Sequence, residues 1–283
     1  MKNTNSIVSA LLVITIILAA CGQHSENKQT KPVTTTVQKD TTSGQPPPIA
    51  DNATIMQRRE VPVLCYHHIR EWKSTDSKRS HDYIVPPDNF RAQMKMLADS
   101  GYHTISPDQL YDYLAFGKSL PEKPVIITYD DTDEEQFSIG KTEMDRYGFK
   151  GIYFIMTISL NKPRYMTSEQ VRQLAQEGHS IGSHTWDHKD VRHYTDDDWA
   201  VEIDKPTQLL ETLSGRPVRY FAYPFGAWDT AAAAGIRAKG FRAAFQLSAR
   251  RDEQAPLFTI RRIIIPGSWS AAVLLKVMHN SFH

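Results

Sequence analysis

Apolar positions along this chain change period repeatedly, and the changes divide it into alternating strands and helices. Short apolar runs of strand length fall at 61–66, 125–129, 151–156, 179–183, 218–222, 241–246 and 260–265. Between them apolar residues recur at helical spacing. Phe90, Met94 and Leu97 predict a helix over 88–99, and related patterns predict helices over 107–116, 135–147, 196–213, 229–239 and 270–279, with another from 168 that stops at Gly178. Two of these starts carry capping boxes, Ser106-Pro107-Asp108-Gln109 and Thr167-Ser168-Glu169-Gln170, the first with Pro at the opening helical position. Strands alternating with helices predict an α/β fold with a parallel sheet, open or closed into a barrel.

The N-terminal part departs from this pattern. Lys2 precedes an almost wholly apolar run from Ile7 to Ala20, short for a membrane span but suited to the centre of an export signal. It ends in Leu18-Ala19-Ala20-Cys21, which resembles a bacterial lipoprotein signal. That resemblance implies removal of residues 1–20, a lipid on Cys21 and an exported, membrane-anchored protein on the periplasmic face of a bacterial membrane or on the cell surface. An ordinary signal peptide or an uncleaved helix is the alternative. Residues 21–57 are rich in Thr, Ser, Gln, Lys and Pro, and lack the apolar content to offset their ordering entropy, so they are expected to form a flexible linker. Residues 58–283 then make one domain.

Composition narrows the partners. With 33 Lys plus Arg against 32 Asp plus Glu, no basic excess points to nucleic acid. The only cysteines are Cys21 and Cys65, so a lipidated Cys21 leaves no disulfide framework, and Cys65 in its apolar run reads as a small buried residue.

Three polar clusters close predicted strands, where parallel α/β folds collect function. Tyr129-Asp130-Asp131 follows Val125-Ile126-Ile127. Neighbouring strand residues face opposite ways, so the two carboxylates suit a division of labour, one as base and one reaching a metal; a solvated acidic loop is the alternative. His184 and His188 stand four apart after 179–183, a spacing that puts both imidazoles on one side and recurs among metal ligands, although chance pairs occur among eleven histidines. Two His, one Asp and open positions describe a catalytic metal rather than a structural one. Phe221 to Gly226 runs a strand into a Pro–Gly loop that by itself is only a turn.

In this order the clusters resemble the polysaccharide deacetylase family (carbohydrate esterase family 4, the NodB-homology domain) over about residues 60–270. Tyr129-Asp130-Asp131 is similar to its Thr-Phe-Asp-Asp motif, His184 to His188 to its His-x-x-x-His motif, and Tyr220 to Gly226 to its third motif. The resemblance implies a distorted (β/α) barrel and a metal-dependent hydrolase that removes N-acetyl groups from an amino-sugar polymer. It implies Asp130 as base, and Asp131, His184 and His188 as ligands of one divalent ion, zinc first, with nickel, cobalt and iron compatible. Tyr223, Phe225 and Arg262 fall to the oxyanion or substrate, Phe225 through its backbone N–H.

This chain departs from the family pattern at three places. Thr132 replaces the glycine after the Asp pair, Ala222 replaces the third-motif Arg, and the last strand holds no His. Val63-Leu64-Cys65-Tyr66-His67-His68 instead puts a His at the end of the first strand, as in the branch acting on poly-β-1,6-N-acetylglucosamine of biofilms, so His67 is the expected acid and His68 is expected to point away. Arg262 is expected to supply the missing charge beside the base. Trp186, Trp228 and Trp269 offer ring faces for sugars, with core packing as the alternative. Peptidoglycan or chitin-like oligomers remain alternative substrates, and a non-catalytic polysaccharide-binding module is the alternative of another class.

Overall fold

The computed structural model describes residues 47–247 and 249–282; the expected signal, the lipid site at Cys21 and most of the linker lie outside these residues. No helix among the described residues is long and apolar enough to cross a membrane.

The strands are β1 (Val63–Tyr66), β2 (His68–Ile69), β3 (Ile84–Val85), β4 (His103–Thr104), β5 (Pro124–Tyr129), β6 (Gly151–Ile155), β7 (Ser180–Ser183), β8 (Tyr220–Ala222), β9 (Ala243–Phe245) and β10 (Ile263–Ile264). The main sheet is parallel, in the order β10-β1-β5-β6-β7-β8-β9, with β4 added at the start of β5. β1, β5 and β6 are buried nearly throughout, as continuous apolar runs covered on both faces should be. The sheet comes close to closing on itself. Ile260 exchanges backbone bonds with Ala244 and Gln246 beside β9, while Ile263–Ile264 pair with Leu64–Cys65 of β1. One extended segment thus bridges both edges, giving the distorted barrel. The strand expected over 260–265 is broken for the same reason: its two ends pair with different neighbours.

Helices cover the outside, and both capping boxes form as read, Ser106 with Gln109 and Thr167 with Gln170. The expected helix at 135–147 begins as a π-helical stretch, Gln136–Lys141, before Thr142–Asp145, and the one at 196–213 contains another, Trp199–Asp204. The flexible linker was expected to run to residue 57, but Asn52–Gln57 form a helix that buries Ile55, capped by Asp51, and the N–H of Ala50 donates to Ala115. Its apolar residues are too few for a periodic signal, yet suffice once a core is there to receive them.

Candidate active site

The carboxyl ends of β1, β5, β7 and β8 surround a cavity of about 580 Å³ lined by His67, Asp130, Asp131, His184, His188 and Phe225, among others. Backbone strain collects here: of the eight non-glycine residues with positive φ among the described residues, five are Asp131 (73°), Thr132 (72°), Thr185 (67°), His188 (71°) and Phe225 (61°). These turns defeat the strand alternation on which the separation of Asp130 from Asp131 was expected to rest. The chain leaves β5 at Tyr129, and the left-handed turn at Asp131 brings both carboxylates to the same cavity. Thr132 holds that turn, its Oγ1 accepting from Met156 N–H at 2.8 Å and donating back to Met156 O at 3.3 Å.

Asp130 is 2 % exposed and sits on a bidentate pair with Arg262, whose Nη1 and Nη2 donate to Oδ1 at 2.6 Å and to Oδ2 at 2.7 Å. Arg262 is fully buried and is fixed further by donating to Gln246 O and Thr128 Oγ1. Burial alone would raise the Asp130 carboxyl, but the Arg262 guanidinium, followed by His184, outweighs it and holds the group below the usual carboxylate range. Arg262 therefore lies behind the base, supplying the charge lost at Ala222, and does not face a substrate. The Cys65 thiol donates to Asp130 Oδ2 at 3.6 Å from the other side.

Asp131, His184 and His188 converge. Asp131 Oδ1 lies 3.5 Å from His184 Nε2 and 3.5 Å from His188 Nε2, long for hydrogen bonds, and this buried oxygen has no hydrogen-bond partner. His184 Nδ1 donates to Ala222 O at 2.8 Å, which fixes the ring and turns Nε2 toward the cluster, where burial is outweighed by Asp130 and Asp131, which raise its pKa. Burial, then His184 beside it, lowers His188 to about 4, so its ring is neutral near pH 7. A carboxylate and two imidazoles meeting at one point suit a divalent cation.

His67 directly follows β1 and packs edge-on against Tyr83, with ring centroids 5.1 Å apart. Its burial, only partly offset by Asp131 and Asp130, lowers its pKa. His68 turns instead to Glu135 and Asp133, 3.0 Å from each. Phe225 is 66 % exposed at the cavity, on a left-handed turn. Tyr223 corrects the expectation made for it: the side chain is fully buried, packed on Phe221, and cannot reach a substrate, because the strand pleat carries it into the core.

Two positioning residues escaped the sequence. Glu202, 3 % exposed in the π-helical stretch, accepts the N–H groups of Trp186 and Asp187 at 3.2 Å each and so pins the loop between the two histidines. Gln136 donates from Nε2 to Asp130 O and to His67 O, tying the ends of β5 and β1 together. Glu202 stands 15 and 16 positions from its partners and Gln136 69 from His67, and nothing local marks either one.

Residues 117–244 match the sequence model of the polysaccharide deacetylase family. The chain is 31% identical over 170 residues to YxkH of Bacillus subtilis, an inferred polysaccharide deacetylase, covering 60% of this chain and 58% of that protein. It is 26% identical over 152 residues to a peptidoglycan-N-acetylglucosamine deacetylase of Bacillus cereus, covering 53% and 54%. The chain thus spans a little over half the length of these relatives. The Streptococcus pyogenes deacetylase PplD, solved in complex with acetate, shares the fold with a TM-score of 0.71 at 22% identity, over 77% of this chain and 98% of that one. Residues 117–244 are thus similar in sequence to the polysaccharide deacetylase family, and the described domain shares its fold with a solved deacetylase.

Proposed function

We propose that this protein is a metal-dependent hydrolase that removes N-acetyl groups from an extracellular N-acetylglucosamine polymer, poly-β-1,6-N-acetylglucosamine first. The observation that carries the reading is the pairing, in one cavity, of a buried ion-paired carboxylate, Asp130, with the convergent Asp131, His184 and His188.

Asp131, His184 and His188 would hold the ion, which when bound polarises the acetamide carbonyl and acidifies a water. Asp130, kept ionised by Arg262, takes the proton of the attacking water. The Phe225 N–H donates to the oxygen of the tetrahedral intermediate. His67 gives a proton to the departing sugar nitrogen as the carbon–nitrogen bond breaks, releasing acetate and a free amine. The amino-sugar substrate is supported by the name of the Bacillus cereus relative. The β-1,6 linkage rests on the acid coming from the first strand instead of the last, and peptidoglycan or chitin-like oligomers are the second reading. Export and anchoring through a lipid on Cys21 fit a substrate of the envelope or its exterior.

The test is amine release from β-1,6-linked N-acetylglucosamine oligomers, using metal-stripped and metal-restored protein and an Asp130→Asn control. Metal-dependent release that the variant loses supports the proposal. Release from β-1,4 oligomers or peptidoglycan alone keeps the chemistry and changes the polymer. No release from any of them, under any metal, leaves a non-catalytic polysaccharide-binding module.

A further inference from the structure

Trp72 is 41 % exposed, although its indole is held in a built position. Its Nε1 donates to Ile84 O at 2.9 Å, and the His81 ring lies flat against it, with centroids 4.1 Å apart and an interplanar angle of 7°. The segment carrying both is pinned at several points. Arg70 pairs with Asp76 at 2.9 and 3.0 Å, and Gly267 N–H donates to His81 O at 2.9 Å. Arg79, Ser80, Tyr83 and Ile84 of the same segment line the active-site cavity, and Tyr83 packs on His67. Trp72 is therefore bonded to the segment that lines the cavity after β1, without lining the cavity itself. The sheet order puts β8, with the exposed Phe225, on the other side of β5 and β7.

A large ring with its N–H satisfied, one face covered and the rest left to water gives up little order on binding and has one apolar face to offer. The C–H face of a pyranose matches that shape. We propose that Trp72, backed by His81, is the stacking platform for a sugar ring of the polymer next to the residue being deacetylated, so that the chain of sugars crosses the sheet from the β1 side toward Phe225. Trp228 and Trp269 are packed against the core and do not serve this role. The platform rests on the deacetylase reading and makes the protein selective for oligomers over single sugars.

Kinetics of Trp72→Ala, Trp72→Tyr and, as a control at the opposite end of the barrel, Tyr147→Ala test it, with a β-1,6-linked N-acetylglucosamine pentamer and a sugar-free acetyl ester as substrates. Trp72→Ala should raise KM for the pentamer about tenfold with kcat nearly unchanged, and leave ester hydrolysis as it was. Trp72→Tyr, which keeps a ring but loses the indole N–H, should stay within about threefold of wild type, as should Tyr147→Ala. An unchanged KM in Trp72→Ala overturns the platform. So does an equal rise in Trp72→Tyr, which would make the Ile84 hydrogen bond the whole effect. Calorimetric binding of the pentamer separates this inference from the reaction: a protein that turns over nothing but binds the pentamer, more weakly in Trp72→Ala, keeps the platform and loses the proposed activity.

Discussion

At the scale of single residues, what matters is which charges are paired and which lone pairs are left open. Asp130 and Arg262 neutralise each other in the barrel interior, and removing one partner strands the other. Arg262→Ala is expected to cost about 3–5 kcal/mol of stability, because a buried carboxylate loses its counter-charge. The same change should lower kcat on the order of 10²-fold, since the base is no longer held ionised. Thermal melts and steady-state kinetics read the two effects; wild-type kcat in a folded Arg262→Ala protein would remove Arg262 from the mechanism. The residues of the cluster were legible because Asp130 with Asp131, and His184 with His188, are sequence neighbours at strand ends. Tyr223 was misplaced since adjacency to a motif does not say which face of the chain a side chain takes. Glu202 was invisible because what identifies it, two backbone N–H groups of a distant loop, exists only in three dimensions.

Among the elements, the loop from Thr185 to His188 shows how strain is held in place. Two of its residues adopt positive φ, and Glu202 offsets that cost by accepting consecutive N–H groups. Glu202→Ala should therefore weaken metal binding by about 10- to 100-fold through loss of ligand orientation, with the three ligands intact. Competition with a chromogenic chelator measures it, and an unchanged metal affinity would show that the loop holds itself. Element identity followed from apolar period and capping chemistry, so helix starts at Ser106 and Thr167 were read correctly. The π-helical stretches were not, because their extra residue per turn is forced by what packs around them, and β2 and β3 are too short to carry a period.

For the molecule as a whole, the pairing of β6 with β7 carries a pH-dependent lock. His179, 2 % exposed, accepts the Gly151 N–H on Nδ1 at 3.1 Å, so a proton cannot be added there without breaking the bond. Burial, then the charge of Lys150, lowers its pKa from 6.5 to about 4. The unfolded chain takes up this proton first, so the contribution is complete above about pH 6.5 and is lost as pH falls toward 4, by roughly 3 kcal/mol in all. Denaturant melts across that window should show the loss in wild type and a flatter profile in His179→Asn, which offers an acceptor that does not titrate. Parallel profiles for the two proteins would discount the lock.

By itself the sequence determined the alternation of strands and helices, the parallel character of the sheet and the three clusters at strand ends, since period, capping and motif spacing are local properties of the chain. Only the tertiary structure decided that the segment from Ile260 to Ile264 closes the barrel, that Arg262 reaches Asp130 from 132 positions away, and that both carboxylates enter one cavity. Those outcomes depend on which strand edges meet and on left-handed turns that packing imposes, and no local pattern encodes either.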